Sequence, residues 1–156
     1  MLDAAVFQAT PVALLLVRAA DLVMLDANEA YLDLVGLTAD QLVGKHVFDV
    51  FPNSPTNQDQ DQEGDLRALM ERAIREGRRT GVDEIRYDIQ VGDRFEVRWW
   101  SACESPILDA DGAVTHLLHS TEDVTDVVRT RDDLRAASDR VTRLSDVALS
   151  LGSADT

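Results

Sequence analysis

Two short apolar runs lie in the first thirty residues of the chain. One occupies residues 12–17 and the other residues 22–25, and the expected turn at residues 18–21 separates them. Short continuous apolar runs bounded by turn residues are typical of strands with both faces covered. The two runs are therefore predicted to pair as a hairpin.

A short helix is predicted directly after this hairpin, at residues 29–35. Asp26 and Asn28 precede it with side chains that can cap a helix start, and Gly36 follows it as a residue suited to a helix end. We expect Asp26 and Asn28 to cap this helix and to tie its start to the neighbouring strand.

Two further short helices follow. Thr38 and Gln41 have the spacing of a capping box, and residues 45–52 form a short helical piece with Phe48 and Phe51 three positions apart. Helices this short cannot form a bundle by themselves. They are therefore predicted to lie against a sheet.

The middle of the chain changes from a polar loop to a longer amphipathic helix. Residues 53–63 are polar, acidic and interrupted by proline, which indicates an exposed loop. Residues 65–77 show helical periodicity. The apolar face of this helix consists of Leu66, Leu69, Met70, Ala73 and Ile74.

Strand periodicity returns in the second half of the chain. Residues 85–90 alternate between apolar and polar positions, and residues 95–105 and 114–124 form two longer strands. Pro106 and the turn at residues 109–112 are expected to separate these two strands. The predicted order is two strands, small helices, one longer helix and three strands in a meander.

A heptad pattern covers the C-terminal part of the chain. One series recurs every seven residues and a second is offset from it by three, which is the a/d seam of a coiled coil. The first series is Val127, Leu134, Val141 and Ala148, and the second is Thr130, Ala137, Leu144 and Leu151. The helix is predicted to pair with a second helix through the larger side chains of this seam, Val127, Leu134, Val141, Leu144 and Leu151.

The composition of the chain limits the kinds of molecule that it is expected to bind. The chain has 156 residues, of which 45% are hydrophobic and 28% charged, so it can bury a core without disulfides or a structural metal. Its net charge is −14 and its Lys and Arg residues form no stripe, which makes nucleic acid and anionic membranes poor partners.

The expected location is the cytoplasm. The lone Cys103 cannot form an internal disulfide, which fits a reducing compartment. The apolar run at residues 11–17 is too short to span a bilayer, and no basic residue precedes it as in a signal peptide.

Several local strings, in their order along the chain, resemble the PAS family. DANEAY at 26–31 is similar to the family's second strand and Asn-capped helix, and GLTADQLVG at 36–44 to its Gly-x-x-x-x-x-Leu-x-Gly connection. GKHVFDVFP at 44–52 is similar to a string of one bacterial subgroup found in histidine kinases and phosphatase-type regulators. The same subgroup is matched by RYDI at 86–89, WS at 100–101, SP at 105–106 and DVTD at 123–126.

The resemblance covers residues 11–126 and implies an α+β PAS fold. This is a five-stranded antiparallel sheet with short helices on one face that close a small apolar cavity, followed here by a C-terminal coiled-coil helix. The expected divisions are an N-terminal segment at 1–10, a PAS sensor domain at 11–125 and a coiled-coil signalling helix at 126–156. Residues 144–156 resemble the lead-in to a GAF domain or a similar module, so a downstream effector domain is expected.

The predicted ligand-binding residues are the large side chains on elements expected to face the cavity. They are Tyr31, His46, Phe48, Phe51, Met70, Ile74, Tyr87 and Trp100. His46 has an alternative role as a capping or surface histidine. Trp99 and Trp100 must face opposite sides of their strand. Alternation alone does not choose between them, although the resemblance favours Trp100.

No metal or cofactor is identified from the sequence. His116 and His119 stand three apart on a strand and point to opposite faces, so they are not predicted to share a metal ion. Haem-binding PAS domains usually take an axial histidine from the longer helix, which has none here. The family's flavin photoreceptors need a cysteine in an Asn-Cys-Arg-Phe-type string, whereas Cys103 lies late in a strand. Haem and a covalent flavin adduct are therefore not expected, and non-covalent flavin stays open.

These observations predict a sensory module of bacterial signal transduction, as in two-component systems. It would bind a small apolar ligand and relay the signal through a parallel homodimeric helix to the effector domain. The alternative is a constitutive dimerisation module with a filled core and no ligand. The chain shows no recognisable set of catalytic residues and is not expected to be an enzyme.

Overall fold

The computed structural model describes residues 4–154 and the side chains of residues 4–147. The chain forms two units, of which the first ends at Val124 and the second begins at Thr125. The helices of the first unit are α1 (Ala4–Ala9), α2 (Glu29–Val35), α3 (Ala39–Leu42), α4 (Val47–Val50) and α5 (Gln62–Glu76). Its strands are β1 (Ala13–Arg18), β2 (Met24–Ala27), β3 (Thr80–Arg86), β4 (Ile89–Val91), β5 (Arg94–Glu96), β6 (Trp99–Leu108) and β7 (Val114–Asp123). The second unit is the helix α6 (Thr125–Ala154).

Five of these strands form one antiparallel sheet in the order β2-β1-β7-β6-β3, and β4 and β5 form a separate hairpin. The core lies on one face of the sheet, where Leu15, Val17 and Leu117 pack with Met70 and Ala73 of α5. All five of these side chains are buried because the helices cover that face. The structure confirms the predicted α+β class, the five-stranded antiparallel sheet and the C-terminal helix.

The strands predicted at 85–90 and 95–105 are each divided, so the prediction of two continuous strands is wrong. The first segment contributes to β3 and then to β4, and the second contributes to β5 and then to β6. The outer parts of both segments therefore leave the main sheet and form the small hairpin.

A buried glutamine explains where the chain leaves the main sheet. Gln62 Oε1 accepts a hydrogen bond from Asp88 N at 2.8 Å, and Gln62 Nε2 donates to Asp88 O and to Pro52 O, both at 3.0 Å. The Asp88 backbone is thereby engaged by a side chain and not by a neighbouring strand. Arg86 donates from two nitrogens to the buried Asp88 carboxylate, each at 3.0 Å.

Pro106 lies inside β6, although the sequence placed it between strands. Proline lacks an N–H and is tolerated in a sheet only where that group has no strand to bind. β3 begins at Thr80, which pairs with Glu104, so β6 beyond Glu104 pairs only with β7. Pro106 therefore lies on a part of β6 that has a neighbouring strand on one side only.

The acidic loop between α4 and α5 is closed at its base. Asn53 N donates to Glu63 Oε2 and Glu63 N donates to Asn53 Oδ1, both at 3.0 Å. Asp61 caps α5 by accepting from Gly64 N at 3.0 Å. That hydrogen bond, followed by one from Asn53, holds the pKa of Asp61 below its ordinary value.

Asn28 ties three segments together from a fully buried position. Its Oδ1 accepts from Tyr31 N at 3.0 Å, which caps α2, and from Leu14 N of β1 at 2.9 Å. Its Nδ2 donates to Val12 O at 2.8 Å and to Phe7 O of α1 at 3.1 Å. The expected capping role is confirmed for Asn28, and the side chain also satisfies backbone groups of β1 and α1.

Asp26 does not share this role. Its Oδ1 accepts from the N–H of the next residue, Ala27, at 2.9 Å. Gly36 ends α2 as expected, with a φ of 71° and its N–H bound to Leu32 O. That left-handed conformation suits glycine because it has no Cβ to clash.

The side chains of the predicted seam are exposed on α6 in the single chain. The exposed fractions are 67% for Val127, 66% for Leu134, 63% for Val141 and 70% for Leu144. Leu151 lies outside the residues whose side chains are described. Within residues 4–154, no helix combines the length and apolar character needed to cross a membrane.

Replacing Asn28 with Ala should lower the free energy of unfolding by about 3–5 kcal/mol, as measured by urea denaturation. The helix cap contributes about 1 kcal/mol of this, and the remainder comes from the three other hydrogen bonds of Asn28, at about 0.5–1.5 kcal/mol each. Asp61→Ala is the matched control because Asp61 caps α5 from an exposed position. Equal losses for the two variants would show that the additional bonds of Asn28 contribute nothing.

Candidate ligand-binding cavity

A small cavity of about 50 Å³ lies between the covered face of the sheet and helices α2, α4 and α5. Its wall is almost entirely apolar. The lining residues are Leu15, Tyr31, Val35, Val47, Phe51, Leu66, Met70, Ile85, Tyr87, Ile89, Trp100, Ala102, His119 and Thr121. Pockets for drug-sized ligands have volumes of about 300–1,000 Å³. The space therefore suits only a very small molecule in the conformation observed.

Five of the eight residues predicted to bind ligand line this cavity. They are Tyr31, Phe51, Met70, Tyr87 and Trp100. They come together because α2 and α5 turn their buried faces toward the same side of the sheet that Trp100 faces. Their role in binding a ligand remains a prediction.

The other three predicted residues lie outside the cavity wall. His46 caps α4, with its Nδ1 accepting from Phe48 N at 3.1 Å. Phe48 is buried in the core below the Arg67 guanidinium, whose carbon lies 4.5 Å from the ring centre. Ile74 is half-buried at the edge of the same core.

Trp100 and Trp99 face opposite sides of β6, as strand alternation requires. Trp100 is buried in the cavity wall, and its Nε1 donates to Tyr87 O at 2.8 Å. The Tyr87 hydroxyl in turn donates to Phe51 O. Trp99 is half-buried on the opposite side of β6. The hydrogen bonds of Trp100 and Tyr87 thus connect β6, the end of β3 and the end of α4 around the cavity.

Sequence reasoning missed a buried acid-histidine pair beside the cavity. His119 Nδ1 donates to Glu104 Oε1 at 2.5 Å, and the Glu104 side chain is fully buried. Among the described residues, Glu104 Oε2 has no hydrogen-bond partner. An unsatisfied buried carboxylate oxygen is costly, so it marks a position where a donor would be favourable.

The sheet register places this pair at one end of the cavity. Glu104 lies directly opposite His119, and Ala102 lies opposite Thr121 in the next row. His119, Ala102 and Thr121 all line the cavity. Side-chain alternation along β7 could have predicted that His119 faces the core, since it stands two positions from the buried Leu117 and so shares its face.

An aromatic contact links the pair to the opposite wall. The rings of His119 and Tyr31 meet edge to face with centroids 6.2 Å apart, and Tyr31 meets Phe51 in the same way at 6.5 Å. Burial raises the pKa of the Tyr31 hydroxyl, and the charge of Glu104 raises it further. Burial also raises the pKa of Tyr87, with a smaller contribution from the charge of Glu63.

The cavity contains no cysteine in its wall, and Cys103 lies on the other face of β6 from Trp100, Ala102 and Glu104. No histidine occurs in α5. Within the described residues, no three His, Cys, Asp or Glu side chains lie close enough together to hold a metal ion. His119 is the histidine of the cavity wall, and its Nδ1 is already engaged by Glu104.

A family model described as the PAS fold matches residues 7–129 of this sequence. The chain belongs to the PAS family. PAS domains are sensory and regulatory modules, and they commonly dimerise and connect to effector domains. No curated protein sequence matches this chain at a significant level.

Solved structures of other proteins show the same fold. An RNA-binding light-oxygen-voltage receptor is 22% identical with a TM-score of 0.66, over 89% of this chain and 36% of its own. The Rhodobacter sphaeroides LOV protein is 23% identical with a TM-score of 0.61, over 77% of this chain and 63% of its own. This chain thus spans about a third of the first protein and somewhat under two thirds of the second.

An isolated PAS domain from Colwellia psychrerythraea is matched over most of its length. It is 18% identical with a TM-score of 0.61, and the match covers 79% of this chain and 94% of that domain. At these identities the likeness concerns the fold alone.

The two tyrosines of this PAS domain should stay protonated at a pH where unfolded tyrosine ionises, because the pKa of each is raised. The unfolded value is about 10. Since the folded protein favours the neutral hydroxyl, stability should be unaffected below about pH 10 and should fall as the pH rises above it. Ultraviolet difference absorbance of tyrosinate, in native buffer and in urea, measures both curves. A native curve that coincides with the urea curve would contradict the burial of both hydroxyls.

Proposed function

We propose that this PAS domain is the sensory module of a larger cytoplasmic signalling protein, and that it binds a small apolar ligand in its cavity. The proposal rests mainly on the apolar cavity between the sheet and the helices. The wall has few polar groups, so a polar ligand would lose hydration without finding enough partners. The net charge of −14 favours neither nucleic acid nor anionic membrane as a partner.

The cavity wall is connected to the end of the sensory unit by strand pairing. Trp100, which lines the cavity, pairs with Asp123 at the end of β7. Next to it, Val124 N donates to Trp99 O at 2.8 Å. A ligand that displaces Trp100 would therefore act on the last residues before Thr125. This is a physical link by which occupancy can reach the start of α6.

The output of the proposed sensor is a pair of α6 helices. A helix with four large apolar side chains exposed along an a/d seam gains stability by burying them against a second copy. A parallel arrangement sends both helices toward the downstream effector domains in the same direction. The ligand would then change the geometry of the helix pair, and the effector would respond to that change.

The small volume of the cavity favours a second candidate function. A space of about 50 Å³ is close to what imperfect packing alone leaves in a core. In this alternative the domain is a constitutive dimerisation module with no ligand. The dimeric α6 would then serve to hold two effector domains together.

Native mass spectrometry of the purified protein, combined with thermal unfolding, separates the two candidates. A sensor should carry a bound small molecule or should gain thermal stability from one when a cell extract's small-molecule fraction is added. Ala102→Val, which adds two methyl groups to the cavity wall, should reduce the bound fraction. An unmodified protein with no bound mass and no thermal shift would support the dimerisation module.

Replacing Leu134 and Val141 together with Lys should give a folded monomer in analytical ultracentrifugation, because two charged ammonium groups cannot be buried in the seam. The matched control is Ala136→Lys with Thr142→Lys, at exposed positions of the same helix outside the seam. The control should stay dimeric. A dimer that survives the seam substitutions would place the interface on another part of the chain.

A further inference from the structure

A second pocket lies directly outside the cavity and shares part of its wall. It has a volume of about 200 Å³ and is lined by Val35, Leu37, Val50, Phe51, Ile89, Gln90 and Gly92. Val35, Phe51 and Ile89 also line the inner cavity. These three side chains therefore form the partition between the two spaces.

Phe51 is the movable member of this partition. Val35 and Ile89 are buried, and β-branched side chains are stiff about χ1. Phe51 is half-buried and lies at the end of α4. Its backbone is held at both ends, because its N–H donates to Val47 O at 2.9 Å and its carbonyl accepts from the Tyr87 hydroxyl. The ring can therefore rotate while the backbone stays in place.

Rotation of the Phe51 ring out of the partition joins the two spaces, which measure about 50 Å³ and about 200 Å³. An engineered apolar cavity of about 150 Å³ is large enough to bind benzene. The joined site therefore accommodates a single aromatic ring, which the inner cavity alone does not.

The buried carboxylate of Glu104 lies next to the inner end of the joined site, where it is bound to His119, the member of the pair that lines the cavity. One oxygen of this buried carboxylate is bound by His119, and the other has no partner among the described residues. His119 lines the cavity across from Glu104 in the β6–β7 register. A single hydrogen-bond donor on a ligand would satisfy the free oxygen. A neutral donor suits this wall better than a cation, since an ammonium group would lose far more hydration energy.

We propose that the ligand is a neutral, single-ring apolar molecule with one hydrogen-bond donor, that Glu104 accepts this hydrogen bond, and that Phe51 is the gate through which the ring enters. The inference rests on the ligand-binding part of the proposed function. It adds the chemical class of the ligand and the route by which it enters.

The test compares phenol with two rings of similar size on the full chain, by isothermal titration calorimetry or ligand-observed NMR. Toluene lacks a polar group, and anisole has an ether oxygen but no donor. Phenol should bind at least about tenfold more tightly than either, which is the effect of one hydrogen bond to a charged acceptor. Burial of apolar surface alone favours toluene. Equal or tighter binding of toluene would therefore overturn the role of Glu104, and this comparison needs no variant that might fail to fold.

Variants of the two phenylalanines on α4 test the gate. Phe51→Ala should strengthen binding of phenol and toluene by the same factor, because it removes the partition without touching Glu104. Phe48→Ala is the matched control, since Phe48 is equally aromatic but lines neither pocket. Equal effects of the two variants on ring binding would overturn the gate.

Fluorine NMR of protein labelled with 4-fluorophenylalanine gives a direct view of the ring. The chain has four phenylalanines, so the Phe51 signal can be assigned by its loss in Phe51→Leu. Phenol should shift this signal more than that of Phe48. If no ring probe binds even Phe51→Ala, the inference fails. The proposed function would still be decided separately, by the mass of any ligand bound to the unmodified protein.

Discussion

The sensory unit depends on a buried amide whose hydrogen-bonding groups all find partners. Asn28 binds backbone groups of α1, β1 and α2 at once, and its bonds to Phe7 O and Tyr31 N are buried, where water is not at hand to replace them. An unsatisfied group at this depth would be costly, so the three segments can be assembled in essentially one arrangement. That arrangement fixes the first turn of α2 and with it Tyr31, which forms one side of the cavity.

The opposite side of the cavity depends on the pleat of β6 and β7. Because side chains alternate across a strand, Trp100, Ala102 and Glu104 share one face, and the facing strand adds His119 and Thr121. Trp100 and Ala102 supply apolar surface, and Thr121 adds a weakly polar hydroxyl. Glu104 and His119 are the strongly polar pair on this face. The cavity wall is therefore apolar over most of its extent, and the strongly polar side chain in it is His119, which is bound to Glu104.

Local signals in the sequence predicted the elements whose ends are determined by neighbouring residues. The α2 helix is an example, since its cap Asn28 and its terminal Gly36 lie next to it in the chain. The division of the strand at residues 85–90 was not predictable in this way. Alternation continues through the break, and the cause is Gln62, which lies 26 residues away from Asp88.

The same distinction applies to the cavity. Helical periodicity placed Met70 on the covered side, and the family resemblance favoured Trp100 over Trp99 for that side; both residues line the cavity. Phe48 and Phe51 looked equivalent at a spacing of three, but α4 is a single turn, and Phe51, which follows it, departs from helical geometry. Glu104 and His119 are 15 residues apart, and only the register of β6 with β7 makes them partners.

Because the acidic loop is closed at its base, its length can change without altering the geometry of the sensory unit. Asn53 and Glu63 bind each other's backbone N–H groups, so the chain between them leaves and re-enters the domain at one point. The entropy cost of a longer loop grows only slowly with its length once its ends are held. The exposed residues Gln58 and Asp59 are therefore a place where a whole folded domain could be inserted, such as a fluorescent reporter, while the helix that covers the cavity keeps its position.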